Sequence, residues 1–141
     1  MQTERLLPDD LQDAETTDEL REQRDFYKYL LEEVVDSFPD PVGVVDEDGV
    51  VAGWNEQLEG LVGVQAEEAY GKSAIEATGT EGTDETLAME VARTGQEIIE
   101  DEPRVGESED GDIWAVQAKG FPLQGPDGSV VGAFQTNTVV T

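Results

Sequence analysis

Two short apolar runs flank an Asp-Gly turn in the segment VGVVDEDGVVAGWNEQLEG, which spans residues 42–60. Apolar runs joined by such a turn are typical of an antiparallel hairpin. Asn55 follows Trp54 directly and precedes a short run of helical character. Asn is a strong helix N-cap because its side-chain oxygen accepts a backbone N–H that the first turn leaves unpaired. The segment therefore predicts a hairpin that leads straight into a helix capped by Asn55.

The remainder of the chain predicts helices first and strands afterwards. Short helices punctuated by glycine are predicted over residues 55–62, 66–70 and 73–77, and a longer helix over 84–94 that stops at Gly95. Three further strands follow, with a Pro-Asp-Gly turn at 126–128 before the last one. This order is an α+β layout, in which an antiparallel sheet carries its helices on one face.

The N-terminal part divides into two segments. Residues 1–17 are polar and acidic, are interrupted by Pro8 and lack sustained periodicity, so we predict a mobile acidic leader. Residues 18–38 predict an amphipathic helix that ends before Pro39. Its apolar seam consists of Leu20, Tyr27, Leu31, Val34 and Phe38, which together with Arg24 follow an alternating four- and three-residue spacing.

This helix has two interpretations. It either packs on its own domain or pairs with its copy in a second subunit, and Arg24 interrupts the seam that such pairing would use. We favour pairing, which predicts a homodimer. The following residues, 39–141, form the predicted domain.

The charge of the chain limits the classes of molecule that it is expected to bind. Asp and Glu number 34 against 8 Lys and Arg, which gives a formal net charge of −26. Such a surface repels nucleic-acid phosphates and anionic lipid, so neither is an expected partner. Self-repulsion of this size is tolerated best in concentrated salt, where the Debye length falls to about 3 Å at 1 M. We predict a halophilic archaeal host and a cytoplasmic protein; an acidic mesophilic domain is the alternative.

The chain contains neither Cys nor His. Their absence removes disulfides, thiolate or imidazole catalysis and most transition-metal sites. The densest late acidic cluster, residues 107–112, includes an Asp-Gly turn and is typical of a solvated loop. We therefore predict no catalytic residues, no metal site and no enzyme activity. No apolar run reaches the roughly 18–20 residues of a membrane helix, so this segment predicts no membrane contact.

Several stretches together resemble the PAS domain family. They are GWN at 53–55, YGKS at 70–73, RTGQE at 93–97 and EDGDIWAVQAKGFPLQGPDGSVVGAFQ at 109–135. The resemblance covers roughly residues 36–141. It implies a five-stranded antiparallel sheet in strand order 2-1-5-4-3, which closes over short helices and leaves an interior able to hold a ligand.

The resemblance also implies a function. PAS domains sense small molecules, light or redox state and signal through flanking helices to an output domain such as a histidine kinase or transducer, which we expect outside this segment. A ligand-free dimerisation module is the alternative. Covalent flavin binding in the family uses a Cys in the region matching 71–77, and haem binding generally uses a His on the helix matching 84–94. Both are disfavoured here, and the cofactor stays open.

A pocket would require aromatic and polar side chains to converge, although each aromatic could equally be ordinary core. The candidate lining consists of Trp54, Tyr70, Trp114, Phe134 and Gln135. Strand alternation places Gln135 and Asn137 on the face of Ala133, opposite Phe134. If that face is inward, Gln135 is a buried amide that needs a partner, and a small apolar or aromatic ligand is one such partner.

Overall fold

The structure, a computed structural model, describes residues 1–6, 17–78 and 84–140. After a 3-10 turn at Thr3–Leu6, the helices are α1 (Asp18–Ser37), α2 (Glu56–Val62), α3 (Ala66–Ala69), α4 (Ala74–Thr78) and α5 (Leu87–Thr94). The strands are β1 (Val42–Asp46), β2 (Val51–Trp54), β3 (Ile98–Ile99), β4 (Arg104–Glu107), β5 (Ile113–Gln124) and β6 (Val130–Val139).

All strand pairs are antiparallel, and the sheet runs in the order β2-β1-β6-β5-β3, with β4 also paired to β5. The predicted third strand is therefore divided into β3 and β4. Pro103 lies immediately before β4 and has no N–H to donate to a ladder. If β3 and β4 are counted as one interrupted strand, the order is the predicted 2-1-5-4-3, and the α+β fold is confirmed.

The predicted hairpin is confirmed at β1 and β2. The Asp46 carboxylate accepts the backbone N–H of Asp48 at 2.9 Å and of Val50 at 3.0 Å, which closes the turn. Gly49 has a φ of 81°, a left-handed conformation that favours glycine. The local sequence thus closes the turn, and the Gly49 carbonyl also accepts the Ala74 N–H at 3.0 Å.

The inner face of the sheet packs on the short helices and forms the main core. Leu87 and Val91 of α5 are fully buried against it. Gly120 of β5 lies beneath them, and a Cβ there would come within 2.7 Å of a Val91 methyl. The predicted apolar face of this helix is confirmed, although the helix begins at Leu87, after the N-cap Thr86, rather than at Asp84.

The outer face of the sheet carries a second, smaller cluster that includes Val35 of α1 and the side chains of Met1 and Leu6. The Gln2 N–H also donates to the Ala52 carbonyl at 2.7 Å. Where the sequence predicts a mobile leader over 1–17, the structure describes residues 1–6 as a docked segment, because their apolar side chains cover an apolar face. Residues 7–16 lie outside the described residues.

Helix α1 begins after Thr17, whose hydroxyl accepts the Leu20 N–H at 3.3 Å, and it ends just before Phe38 and Pro39. Val35 is the one residue of α1 that is buried in the single chain. Tyr27 and Val34 of the predicted seam are 67% and 64% exposed. In the described part of the chain, no helix has the length and apolar character required to cross a membrane.

Candidate functional site

A small cavity, called the inner cavity here, lies between the inner face of the sheet and helices α2, α4 and α5. Its volume is ≈ 40 Å³, and its lining includes Trp54, Leu58, Trp114, Gln135 and Asn137. A single water requires about 10–15 Å³. The inner cavity is therefore large enough for a few water molecules or for a small ligand.

Two tryptophans line the inner cavity, and they differ in their hydrogen bonding. Trp54, at the end of β2, donates its Nε1–H to the Val64 carbonyl at 3.0 Å. Trp114, in β5, lies across Gly106 of the neighbouring strand, where any Cβ would collide with the indole ring. The Trp114 Nε1 is buried and has no acceptor among the described residues. One indole is thus satisfied and the other is not.

A chain of side-chain hydrogen bonds runs along β6. The Gln135 Oε1 accepts the Ala88 N–H at the start of α5 at 3.0 Å, and the Gln135 Nε2 donates to the Asn137 Oδ1 at 2.7 Å. Asn137 in turn donates its Nδ2–H to the Pro41 carbonyl at 3.1 Å. Polar contacts therefore connect the inner cavity to residues 38–41, the linker between α1 and β1.

Asn55 lies at the other end of that linker and is fully buried. Its Oδ1 accepts the N–H groups of Leu58 and Val42, each at 3.0 Å. Its Nδ2 donates to the carbonyls of Val35 at 3.2 Å and Asp40 at 2.9 Å. Asn55 is the predicted N-cap of α2, and it also ties the last turn of α1 to the hairpin.

Arg104 of β4 brings a positive charge to the lining of the inner cavity. Its Nε and Nη2 contact the Glu100 carboxylate at 2.6 and 2.9 Å, and its Nη1 donates to the Glu85 carbonyl at 3.1 Å. The guanidinium is thus neutralised where it stands. The sequence analysis missed Arg104, although an Arg four residues after a Glu in a chain so poor in basic residues is a usable signal.

The comparison with protein families agrees with this geometry. The family model described as PAS fold matches residues 35–141. The chain belongs to the PAS family. Members of this family are sensory modules.

Solved PAS structures share the fold. The PAS domain of a protein from Colwellia psychrerythraea has a TM-score of 0.61 and 19% identity, and the match covers 82% of this chain and 98% of that one. The PAS domain of an HTR-like protein from Haloarcula marismortui has a TM-score of 0.60 and 19% identity, over 86% and 99%. The LOV domain of a blue-light activated histidine kinase from Erythrobacter litoralis has a TM-score of 0.58 and 16% identity, over 73% and 97%.

The PAS fold brings together three of the five predicted pocket residues, Trp54, Trp114 and Gln135. Phe134 lies on the outer face of the sheet and stacks on Phe121 with ring centroids 5.1 Å apart. Consecutive residues of a strand point to opposite faces, so Phe134 and Gln135 cannot line one cavity. The predicted pocket is corrected at this position.

Tyr70 packs half-buried against the inner core but is not part of the lining of the inner cavity. Burial raises the pKa of its hydroxyl, and the carboxylates of Asp36 and Glu67 raise that pKa further. Tyr70 thus belongs to the boundary between the core and the acidic end of α1.

The outer face carries a larger depression, called the outer groove here, with a volume of ≈ 410 Å³. It lies between α1 and the sheet and is lined by apolar side chains apart from Thr136; they include Leu31, Val34, Phe38, Val44 and Phe134. Three seam residues of α1 therefore border an apolar surface that the single chain leaves partly open.

Neither flavin nor haem fits the inner cavity. Its ≈ 40 Å³ compares with about 300–1,000 Å³ for pockets that enclose drug-sized ligands. The chain has no Cys or His to bond either group. Within residues 1–6, 17–78 and 84–140, no three acidic side chains are grouped so as to hold a metal ion.

Proposed function

We propose that this PAS domain is a cytoplasmic sensory module that binds a small molecule in the inner cavity and signals through α1 to an output domain. The hydrogen-bond chain from Ala88 through Gln135 and Asn137 to the Pro41 carbonyl carries the proposal. A ligand that competes for the Gln135 amide changes the same contacts that position the linker after α1. The module responds to the binding of the ligand and catalyses no reaction.

The neighbouring contacts support the route to α1. Asn55 holds the carbonyl of Asp40 in the linker and that of Val35 in the last turn of α1. A shift of the linker by a fraction of an ångström therefore strains bonds that fix the end of α1. Because buried hydrogen bonds are costly to leave unmade, such a strain favours a second arrangement of the helix.

We propose a homodimer joined along the seam of α1, and a histidine kinase or transducer as the output. Leu20, Tyr27, Leu31, Val34 and Phe38 are all exposed in the single chain, on a helix that is otherwise rich in charge. Exposed apolar stripes of this kind are typical of helix pairing. The kinase output is supported by the printed description of the Erythrobacter litoralis relative.

A halophilic archaeal host is part of the proposal. The net charge of −26 supports it, as does the related domain from Haloarcula marismortui. Urea melts in about 0.1 M and 1 M KCl test it, because the higher salt shortens the Debye length to about 3 Å. We expect clear stabilisation in 1 M KCl. Equal midpoints at the two salt concentrations would contradict a halophilic origin.

A ligand-free dimerisation module is the second candidate, and the apolar outer groove favours it. Native mass spectrometry of protein purified in molar salt separates the two functions. A stoichiometric mass above the denatured mass supports sensing, whereas an unloaded dimer supports the second candidate.

Variants then localise the ligand of the proposed sensor. Gln135→Leu should remove the extra mass and loosen α1 in hydrogen exchange. Gln124→Leu, an exposed glutamine on β5, is the matched control. Retention of the extra mass by Gln135→Leu would place the ligand elsewhere.

A further inference from the structure

We infer that the inner cavity selects a small uncharged molecule with a hydrogen-bond acceptor, and that this acceptor receives the indole N–H of Trp114. The inference rests on the proposed ligand binding and names the ligand class. Its basis is the buried Trp114 Nε1, which has no acceptor in the part of the chain that the structure describes. Trp114 lines the inner cavity.

A buried donor without an acceptor carries the full cost of its desolvation, and native proteins rarely leave one. The other tryptophan of this chain provides the comparison, because the indole N–H of Trp54 donates to the Val64 carbonyl at 3.0 Å. The fold therefore can satisfy a buried indole with its own backbone. At Trp114 that bond is left unmade, and the inner cavity that this side chain lines offers space for a partner.

The donors and acceptors around the cavity favour a ligand that accepts a bond. The Gln135 Oε1 already accepts the Ala88 N–H, and the Asn137 Oδ1 already accepts the Gln135 amide. These oxygens have no unmet requirement, whereas the Trp114 Nε1–H does. A carbonyl oxygen or a heteroaromatic nitrogen supplies the missing lone pair.

The charges favour a neutral ligand. The Arg104 guanidinium at the cavity is held by Glu100 through two bonds of 2.6 and 2.9 Å. An anion would enter a chain of net charge −26 and find no unpaired cation in the lining, so its desolvation would go uncompensated. The volume of ≈ 40 Å³ limits the ligand to a few heavy atoms, such as a small acyclic ketone.

Proton–nitrogen NMR of the ¹⁵N-labelled full chain in molar KCl tests the inference. The two probes are acetone and isobutene, which have nearly the same shape and differ in the acceptor oxygen. The chain has two tryptophans and hence two indole signals, which Trp114→Phe assigns. We expect acetone to move the Trp114 indole signal and to leave that of Trp54 nearly unchanged, with a much smaller Trp114 shift from the hydrocarbon.

Two variants add an affinity measurement. Trp114→Phe should weaken acetone binding relative to isobutene binding about 3- to 10-fold, the effect of one lost hydrogen bond. Tyr70→Phe, which removes a polar group outside the lining of the inner cavity, is the control and should preserve the ketone's preference over the hydrocarbon. If Trp114→Phe does not fold, Trp54→Phe assigns the two indole signals, and the shift of the wild-type Trp114 signal decides the question alone.

Failure of this inference is distinct from failure of the proposed function. If the Trp114 indole signal does not move at a saturating ketone concentration, the inference is overturned. The same holds if this N–H exchanges only with water at that concentration. Native mass spectrometry would still report any ligand held by other contacts. Conversely, a Trp114 indole shift without any change in hydrogen exchange of α1 upholds the site and contradicts the signalling route.

Discussion

The two faces of the sheet differ in size and in chemistry. The inner cavity measures ≈ 40 Å³ and mixes aromatic rings with the amides of Gln135 and Asn137. The outer groove measures ≈ 410 Å³ and is apolar apart from Thr136. Polar groups in an enclosed space reject a ligand that leaves them unpaired, whereas an apolar surface discriminates mainly by shape. The inner face is therefore suited to selecting a molecule, and the outer face to holding a protein surface.

Asn55 joins the two faces, so its replacement should have the largest effect. Asn55→Ala removes four hydrogen bonds and leaves the buried N–H groups of Leu58 and Val42 without their acceptor. We expect a loss of about 3–4 kcal/mol in the free energy of unfolding, measured by urea denaturation in molar KCl. Thr17→Ala removes an exposed cap and should cost about 1 kcal/mol or less. Equal losses for the two variants would show that Asn55 acts only as a cap.

A double variant on α1 tests whether the outer face forms the dimer contact. Leu31→Glu with Val34→Glu brings two carboxylates into the seam, and we expect dimer affinity to fall about a hundredfold, ~2.7 kcal/mol. Light scattering across a concentration series measures it. Tyr29→Glu is the control, since Tyr29 is exposed and lies about 180° around the helix from the seam. A dimer that survives the double variant would have its contact elsewhere.

The two indoles sharpen the description of the inner face. Trp54→Phe deletes a bond to the Val64 carbonyl and leaves that carbonyl unsatisfied, whereas Trp114→Phe deletes a donor that is already unpaired. Both lose similar packing, so Trp54→Phe should be the more destabilising by about 1–2 kcal/mol. Urea melts of the unliganded variants measure the difference. A larger cost for Trp114→Phe would mean that its N–H is satisfied in the native state.

The smallest expected effect concerns Tyr70, which packs half-buried against the inner core near the acidic end of α1. Burial raises the pKa of its hydroxyl in the folded chain, so the unfolded chain ionises first. The stability contribution is fully present below the ordinary tyrosine pKa of about 10 and is lost as pH rises through the folded value. Melts of wild type and Tyr70→Phe should therefore diverge slightly above about pH 10. Parallel curves there would contradict the raised pKa.

Local sequence predicted much of this fold. The Asp46 turn, the Asn55 cap and the buried face of α5 each depend on residues within a few positions of one another. The partners of the polar network do not. Asn137 bonds to Pro41, 96 positions away, and no local pattern identifies such a pair.

The candidate site was predicted less completely than the fold. Its inward-facing residues were recognisable as aromatics and an amide at alternate strand positions. The assignment of Phe134 to the outer face required the register of β6 against the core. The unpaired state of the Trp114 Nε1 depends on every acceptor around it. That property belongs to the assembled structure, and a strand pattern cannot predict it.

The docking of residues 1–6 has a consequence for solubility. Strand β2 lies at the end of the sheet, where the Val51 N–H donates to the Lys72 carbonyl at 2.9 Å and the Ala52 carbonyl accepts the Gln2 N–H at 2.7 Å. Unprotected edge strands recruit strands from other molecules and begin aggregation. A chain trimmed before Thr3 would leave the Ala52 carbonyl without this donor, so the first two residues complete the protection that residues 71–73 give to the rest of the edge.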